Sequence, residues 1–197
     1  MAQPGDVRIE KPPLPVPRLG DAAVALREWE RVDVPALVAA GVDPVVARFR
    51  YSLPRGDQEA LEWLTAVERD RLAGERLELA VTELPSGAAV GSIALTDLED
   101  GNGMLRYWLA PEGRGRGLAT RAVLLLAHWA FDELGLGRLA LFIELDNVAS
   151  QAVAARCGFR LEGTLRKHMK GRDGEWIDLL LYGLLPANSA ALIRPRS

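Results

Sequence analysis

Apolar positions along the chain recur with two spacings, and the order in which they alternate sets out the elements. Val24 to Trp29 alternates enough to predict a first strand. Two short apolar segments, 34–40 and 44–50, each follow an aspartate placed as a cap, Asp33 and Asp43, and predict two short helices. Gln58 to Leu72 carries Leu61, Leu64, Val67 and Leu72 at helical spacing, with acids and arginines opposite. Leu77–Thr82 and Ala89–Leu98 flank the turn Pro85-Ser86-Gly87 and predict a hairpin; Asp100 to Gly103 turns the chain into a further strand, Met104–Ala110. A helix from Arg116 to Leu134 is apolar nearly all round, and Gly135 and Gly137 stop it. Its polar stripe holds Arg121, His128 and Asp132, which places His128 in solvent rather than in a site. Arg138–Leu145 predicts a buried strand, a polar start at Asp146–Ser150 opens another helix, and Phe159–Met169 and Trp176–Leu185 predict a closing hairpin around Lys170–Gly174. Strands in a meander, then strands mixed with helices, make an α+β protein.

The chemistry concentrates where strand 104–110 meets the apolar helix. Pro111 stops the strand, and Gly113-Arg114-Gly115-Arg116-Gly117 follows. A helix leaves its first N–H groups without internal partners and carries about half a positive charge there. Glycines let the backbone approach an anion closely, and Arg114 and Arg116 add charge, so this junction reads as an anion cradle. A phosphate-binding P-loop would require a lysine after the glycines, which is absent. A dinucleotide fingerprint would require glycine where Thr120 stands and alternating strands and helices upstream, where a meander is expected instead. Taken alone, the loop also fits a plain connector.

Composition narrows the partners. A net charge of −3 over 197 residues argues against bulk binding to nucleic acid or anionic membrane. The single cysteine, Cys157, excludes an internal disulfide and a cysteine-rich metal site; it reads as a buried core residue and suits a reducing cytoplasm. No uncharged apolar run approaches about 18 residues, and the N-terminus lacks a signal-peptide pattern. Five prolines among residues 1–20 predict an extended arm, residues 21–186 form the expected domain, and 187–197 form a tail.

Three motifs taken together, PEGRGRGLAT, DNVAS and CGFRLEGTLR, resemble the GNAT-fold N-acetyltransferases, and within them the RimJ/RimL-like group that acetylates protein N-termini. The resemblance covers roughly residues 24–185. It implies the GNAT fold, a central mixed, mostly antiparallel sheet of about seven strands flanked by helices, with acetyl-CoA as co-substrate and no metal. It implies direct acetyl transfer to a primary amine, most readily the α-amino group of a protein or peptide; a small amine such as a polyamine or antibiotic, or a silent acetyl-CoA-binding module, are the alternatives. It implies a cytoplasmic protein and is compatible with a homodimer.

Carried over residue by residue, the resemblance assigns the pyrophosphate contacts to Arg114, Gly115, Arg116, Gly117, Leu118 and Ala119, with Thr120 adding a hydroxyl. Glu112 stands where the broad family has Gln or Arg, and a carboxylate there should point away. Leu109, with Tyr107, would pair its backbone with pantetheine, the Tyr107 side chain being an ordinary sheet residue. Asn147 would bond a pantetheine amide, a role compatible with capping the next helix. Ser150 falls near the thioester sulfur; the tyrosine that many members place four residues before the Gly-Phe glycine is Ala154 here. Glu144 is the candidate general base, since it shares a strand face with Phe142, where some members carry glutamate. Glu83 is a weaker candidate for that role, and a water chain is the alternative, because a positioned amine needs only modest help. The hairpin loop KGRDGEW carries both signs of charge and points to no particular acceptor.

Overall fold

The computed structural model describes residues 11–49, 53–171 and 174–189. Its strands are β1 (Leu19–Gly20), β2 (Val24–Arg27), β3 (Leu77–Glu83), β4 (Ala89–Glu99), β5 (Asn102–Leu109), β6 (Arg138–Glu144), β7 (Arg160–Lys170) and β8 (Trp176–Leu184). Its helices are α1 (Val34–Val42), α2 (Pro44–Phe49), α3 (Asp57–Leu72), α4 (Leu118–Asp132), α5 (Val148–Arg156) and the single turn α6 (Pro186–Ser189). All eight strands join one sheet in the order β1-β2-β3-β4-β5-β6-β8-β7, where about seven were expected; the extra one is the two-residue β1. That strand lies inside the stretch read as an arm. Leu14, also in that stretch, is buried, and its N–H donates to the Arg71 carbonyl at 3.0 Å.

Every neighbouring pair runs antiparallel except β5 and β6. A parallel pair requires a crossover, and α4 supplies it. The two strands touch only at Asn102↔Arg138, Gly103↔Leu139 and Met104↔Ala140, after which they separate. Since β5 runs on to Leu109 and β6 to Glu144, the sheet is forked.

Alternation along the strands divides the core in two. Leu79, Val81, Ile93 and Leu95 face one side, where Ala122, Val123, Leu126 and Ala130 of α4 cover them. Ala80 and Trp108 face the other, under α1 and α3. There Trp29 stacks on Trp108 with centroids 6.0 Å apart and meets Trp63 edge-on at 5.8 Å. β2 ends at Arg27, short of the expected Trp29, as the chain turns this indole into the second core.

The two predicted caps part company. The Asp43 carboxylate accepts from the Val46 N–H at 2.8 Å, a capping bond at the start of α2. Asp33 makes no capping bond to α1. It is nearly buried and receives both Arg27 guanidinium nitrogens, at 2.6 and 2.9 Å, with the Glu30 N–H at 2.9 Å. Burial pushes this carboxyl upward, but the Arg27 and Glu30 donors outweigh it and hold it below the usual carboxylate value.

Because the folded value is lowered, the stability this pair contributes is present above the unfolded carboxylate value of about 3.9 and is lost as pH falls through the folded one. Asp33→Asn should therefore cost about 2 kcal/mol at pH 7 in urea denaturation, and the difference from wild type should shrink toward pH 3. Equal midpoints at pH 7 would show that the pair contributes nothing.

Candidate active site

β5 leaves the sheet at Leu109, passes through a 3-10 turn at Pro111–Gly113, and reaches α4 across Arg114–Gly117. Gly115 and Gly117 take φ of 72° and 77°, a region costly for residues with a Cβ, and nothing lies within 4 Å of where a Cβ would stand on either. α4 thus starts at Leu118, with Gly117 as its N-cap, rather than at Arg116. The first helical bond runs from the Arg121 N–H to the Gly117 carbonyl, so the N–H groups of Leu118, Ala119 and Thr120 have no partner within α4. The Thr120 hydroxyl is buried without a hydrogen-bond partner among the described residues.

The two loop arginines do something other than lend free charge. The Arg114 N–H closes the turn onto the Pro111 carbonyl, its Nε donates to the Leu109 carbonyl at 3.0 Å, and its terminal nitrogen meets Asp43 Oδ1 at 2.5 Å. Arg116 pairs with Glu83 and donates to the Glu112 carbonyl at 3.3 Å. This pairing holds the Glu83 carboxyl below its ordinary value, which makes it a poor base. Glu112 is exposed. The cradle is consequently a backbone device, its side-chain charge compensated by Asp43 and Glu83.

Below the loop the fork opens into a cavity of about 1160 Å³ that reaches both faces of the sheet. Thr120, Ser150 and Val153 line it on the α4 and α5 side, and Val45, Phe49 and Glu78 on the other. Of the predicted site residues, Leu109, Arg114, Gly115, Gly117, Leu118, Ala119, Thr120, Glu144, Asn147 and Ser150 all line this cavity; Arg116 does not, and neither does Glu83. The Ala110 N–H donates to the Val90 carbonyl at 2.9 Å, so strand alternation turns the amide groups of Leu109 and Tyr107 toward the fork. Any pantetheine amide seeking the Leu109 carbonyl would share it with Arg114.

At the far side, Asn147 caps α5 by accepting the Ser150 N–H at 3.1 Å. The Ser150 hydroxyl lies 2.7 Å from the Tyr107 hydroxyl, a contact that reading Tyr107 as an ordinary sheet residue missed. Only its position two residues before Leu109, on the same strand face, hinted at it. Burial, with the nearby Cys157 thiol adding to it and the Ser150 bond opposing it, pushes the phenol up to about 12. Glu144 is half-buried; burial first, then the neighbouring Asp146 carboxylate, raises its carboxyl, against the opposing pull of Arg48. Phe142, on the same strand face, tilts against His168 with centroids 5.2 Å apart. Ala154, on the inner face of α5, is fully buried in the core. Among the described residues there is no group of three His, Cys, Asp or Glu side chains able to hold a metal, and no described helix is long and apolar enough to cross a membrane.

The forked sheet, with a crossover helix opening N-terminus-first onto the fork, is the arrangement that the acetyltransferase resemblance implies. A family model described as an acetyltransferase (GNAT) domain matches residues 24–160, and the chain belongs to that family. YdaF of Bacillus subtilis (strain 168), provisionally named a ribosomal N-acetyltransferase, is 38% identical over 109 residues; the match spans 52% of this chain and 56% of that protein, little more than half of each. Spermidine N(1)-acetyltransferase of Escherichia coli (strain K12) is 26% identical over 145 residues, 73% of this chain and 76% of that enzyme. RimJ of Mycobacterium smegmatis, solved with CoA-disulfide, has the same fold, with a TM-score of 0.75 at 21% identity, covering 87% of each chain. The resemblance to the RimJ/RimL-like group stands with these relatives.

Cys157 is fully buried, and burial, opposed by Arg156, pushes its thiol up to about 12. It should therefore resist a thiol-reactive disulfide reagent at pH 8 in the native protein and react promptly, one thiol per chain, in denaturant. Equal rates in the two states would overturn its placement in the core.

Proposed function

We propose that the protein transfers the acetyl group of acetyl-CoA to a primary amine, and that the amine is the α-amino group of a protein or peptide. The observation that carries the first half is the fork. Between β5 and β6 lies a slot with backbone amide groups along one wall, ending under the unpartnered N–H groups of α4. Pyrophosphate suits the helix start at Gly115–Thr120, where the open space above both glycines leaves room for it and the buried Thr120 hydroxyl has a proton to offer. A strand-like pantetheine arm suits the slot below. RimJ, which shares the fold, holds a CoA derivative.

The acceptor half rests on the YdaF name and on the RimJ/RimL-like motifs. The spermidine enzyme's match, over most of both chains, supports a polyamine as the second reading.

Within this reading the residues divide the work. The cavity admits acceptor from the α2 face while α4 and α5 hold the donor on the other. The neutral amine attacks the thioester carbonyl, the C–N bond forms, and the C–S pair moves to sulfur. Glu144 takes the amine proton directly or through water; its raised carboxyl gives it the basicity a solvent-exposed glutamate lacks. Ser150 donates a hydrogen bond to the departing thiolate, an interaction that grows with charge and so acts on the transition state.

The test is turnover of acetyl-CoA with a pool of N-terminal peptides and, separately, with spermidine. Peptide turnover well above spermidine turnover is expected; the reverse order would reassign the acceptor, and none with either would point to a silent binding module. Gly117→Asp, which sets a carboxylate where phosphate is to sit, should abolish the thermal stabilisation of about 2.7 kcal/mol that acetyl-CoA gives at about 100 times its dissociation constant. A folded variant with unchanged affinity would reduce the loop to a connector.

Glu144→Gln should lower kcat/KM by about 100-fold or more and remove an acid limb lying above the ordinary glutamate value of about 4.3. An unchanged pH profile would transfer the base role to water.

A further inference from the structure

We propose that Tyr107 is a permanent hydrogen-bond donor to the Ser150 hydroxyl, a positioning residue that aims the serine proton at the thioester sulfur. This rests on the role given to Ser150 above. The two hydroxyls are 2.7 Å apart, at the inner edge of the cavity that both line. The phenol also faces the Ser150 carbonyl, but at 3.4 Å, so its single proton has the better acceptor in Oγ. A serine hydroxyl has one proton to give and can accept as well. When Oγ accepts from Tyr107, its own proton must go elsewhere, and the cavity is the open direction. Accepting a bond also polarises the hydroxyl and strengthens the one it donates.

Two further contacts hold the pair in place. Asn147 fixes the Ser150 backbone by capping α5. Tyr107 is carried on β5 opposite Ile93 of β4, packed against the main core, so the phenol cannot readily swing away. Burial keeps the phenol protonated throughout the neutral and mildly alkaline range, as a fixed donor must be. α5, meanwhile, has only the buried Ala154 where a tyrosine could have approached the sulfur directly. The chain reaches the sulfur by two hydroxyls from different elements. During transfer the amine lone pair makes the C–N bond, the C–S pair goes to sulfur, the amine proton goes to Glu144, and Tyr107 retains its own proton throughout.

A double-mutant cycle in kcat tests this. Ser150→Ala is expected to lower kcat roughly 10- to 1,000-fold, and Tyr107→Phe about 10-fold, each with acetyl-CoA affinity within about twofold of wild type. Adding Tyr107→Phe to Ser150→Ala should then cost nothing further, because the phenol acts only through the serine. Wild-type kcat in Tyr107→Phe overturns the proposal while leaving the Ser150 role intact. The same loss in both backgrounds also overturns it, by showing that Tyr107 acts on something else. Wild-type kcat in Ser150→Ala removes the Ser150 role and the proposal together. Should Tyr107→Phe prove unstable, 3,5-difluorotyrosine at position 107 keeps ring and hydroxyl and lowers the phenol pKa. A new loss of kcat at the pH where that phenol ionises is expected, and its absence overturns the proposal.

Discussion

The fork between β5 and β6 is the constraint on which the rest of the molecule depends. Two strands that ran parallel and in contact along their length would close the sheet and leave no slot. Here they share three residue pairs and then diverge, so backbone groups of β5 that would have paired with β6 face a cavity instead. Such groups are costly to leave without partners in a protein interior, and a strand-like ligand satisfies them. The single parallel contact also dictates where the glycine loop and the start of α4 lie. A parallel neighbour needs a crossover, the crossover is α4, and its N-terminus is delivered to the mouth of the fork.

Stability and site are linked through α2. Its start is held to the glycine loop by Asp43 and Arg114, and its last turn to the head of α5 by Arg48 and Asp146. The Arg48 pair is well exposed and adds little stability on its own. The Asp43 pair is more sheltered: burial works against its carboxylate, and Arg114 with the Val46 N–H reverses that and keeps it charged. Together the pairs set the α2 wall of the cavity against the glycine loop and the head of α5. The Asp43 pair also compensates the Arg114 charge, so what the loop presents at the helix start is oriented N–H groups, whose direction the backbone holds without flexible side chains.

Much of this was legible in the sequence because local rules govern it. The apolar character of α4, the Asp100–Gly101 turn and the glycine run before Leu118 each follow from spacing within a few residues, and their order resembled one family strongly enough to number a site. Leu109, Gly115, Gly117, Thr120, Glu144, Asn147 and Ser150 do line one cavity. Where reading failed, a distant partner had intervened. Asp33 was expected to cap α1, since caps are local, but Arg27 claimed its carboxylate. Arg114 and Arg116 looked like free positive charge until Asp43 and Glu83, distant in sequence, lay beside them.

Local periodicity and backbone chemistry by themselves determined the strands, the helices, the helix stop signals and the glycine loop that opens α4, because each depends on neighbours along the chain. The pairing of Tyr107 with Ser150, the raised carboxyl of Glu144 and the division of the cavity between two faces of the sheet were decided only by tertiary structure. Each depends on desolvation or on contact across the fold. None has a signature in spacing alone, since Tyr107, Ser150, Glu144 and Arg48 come from four different elements and only the fold brings them together.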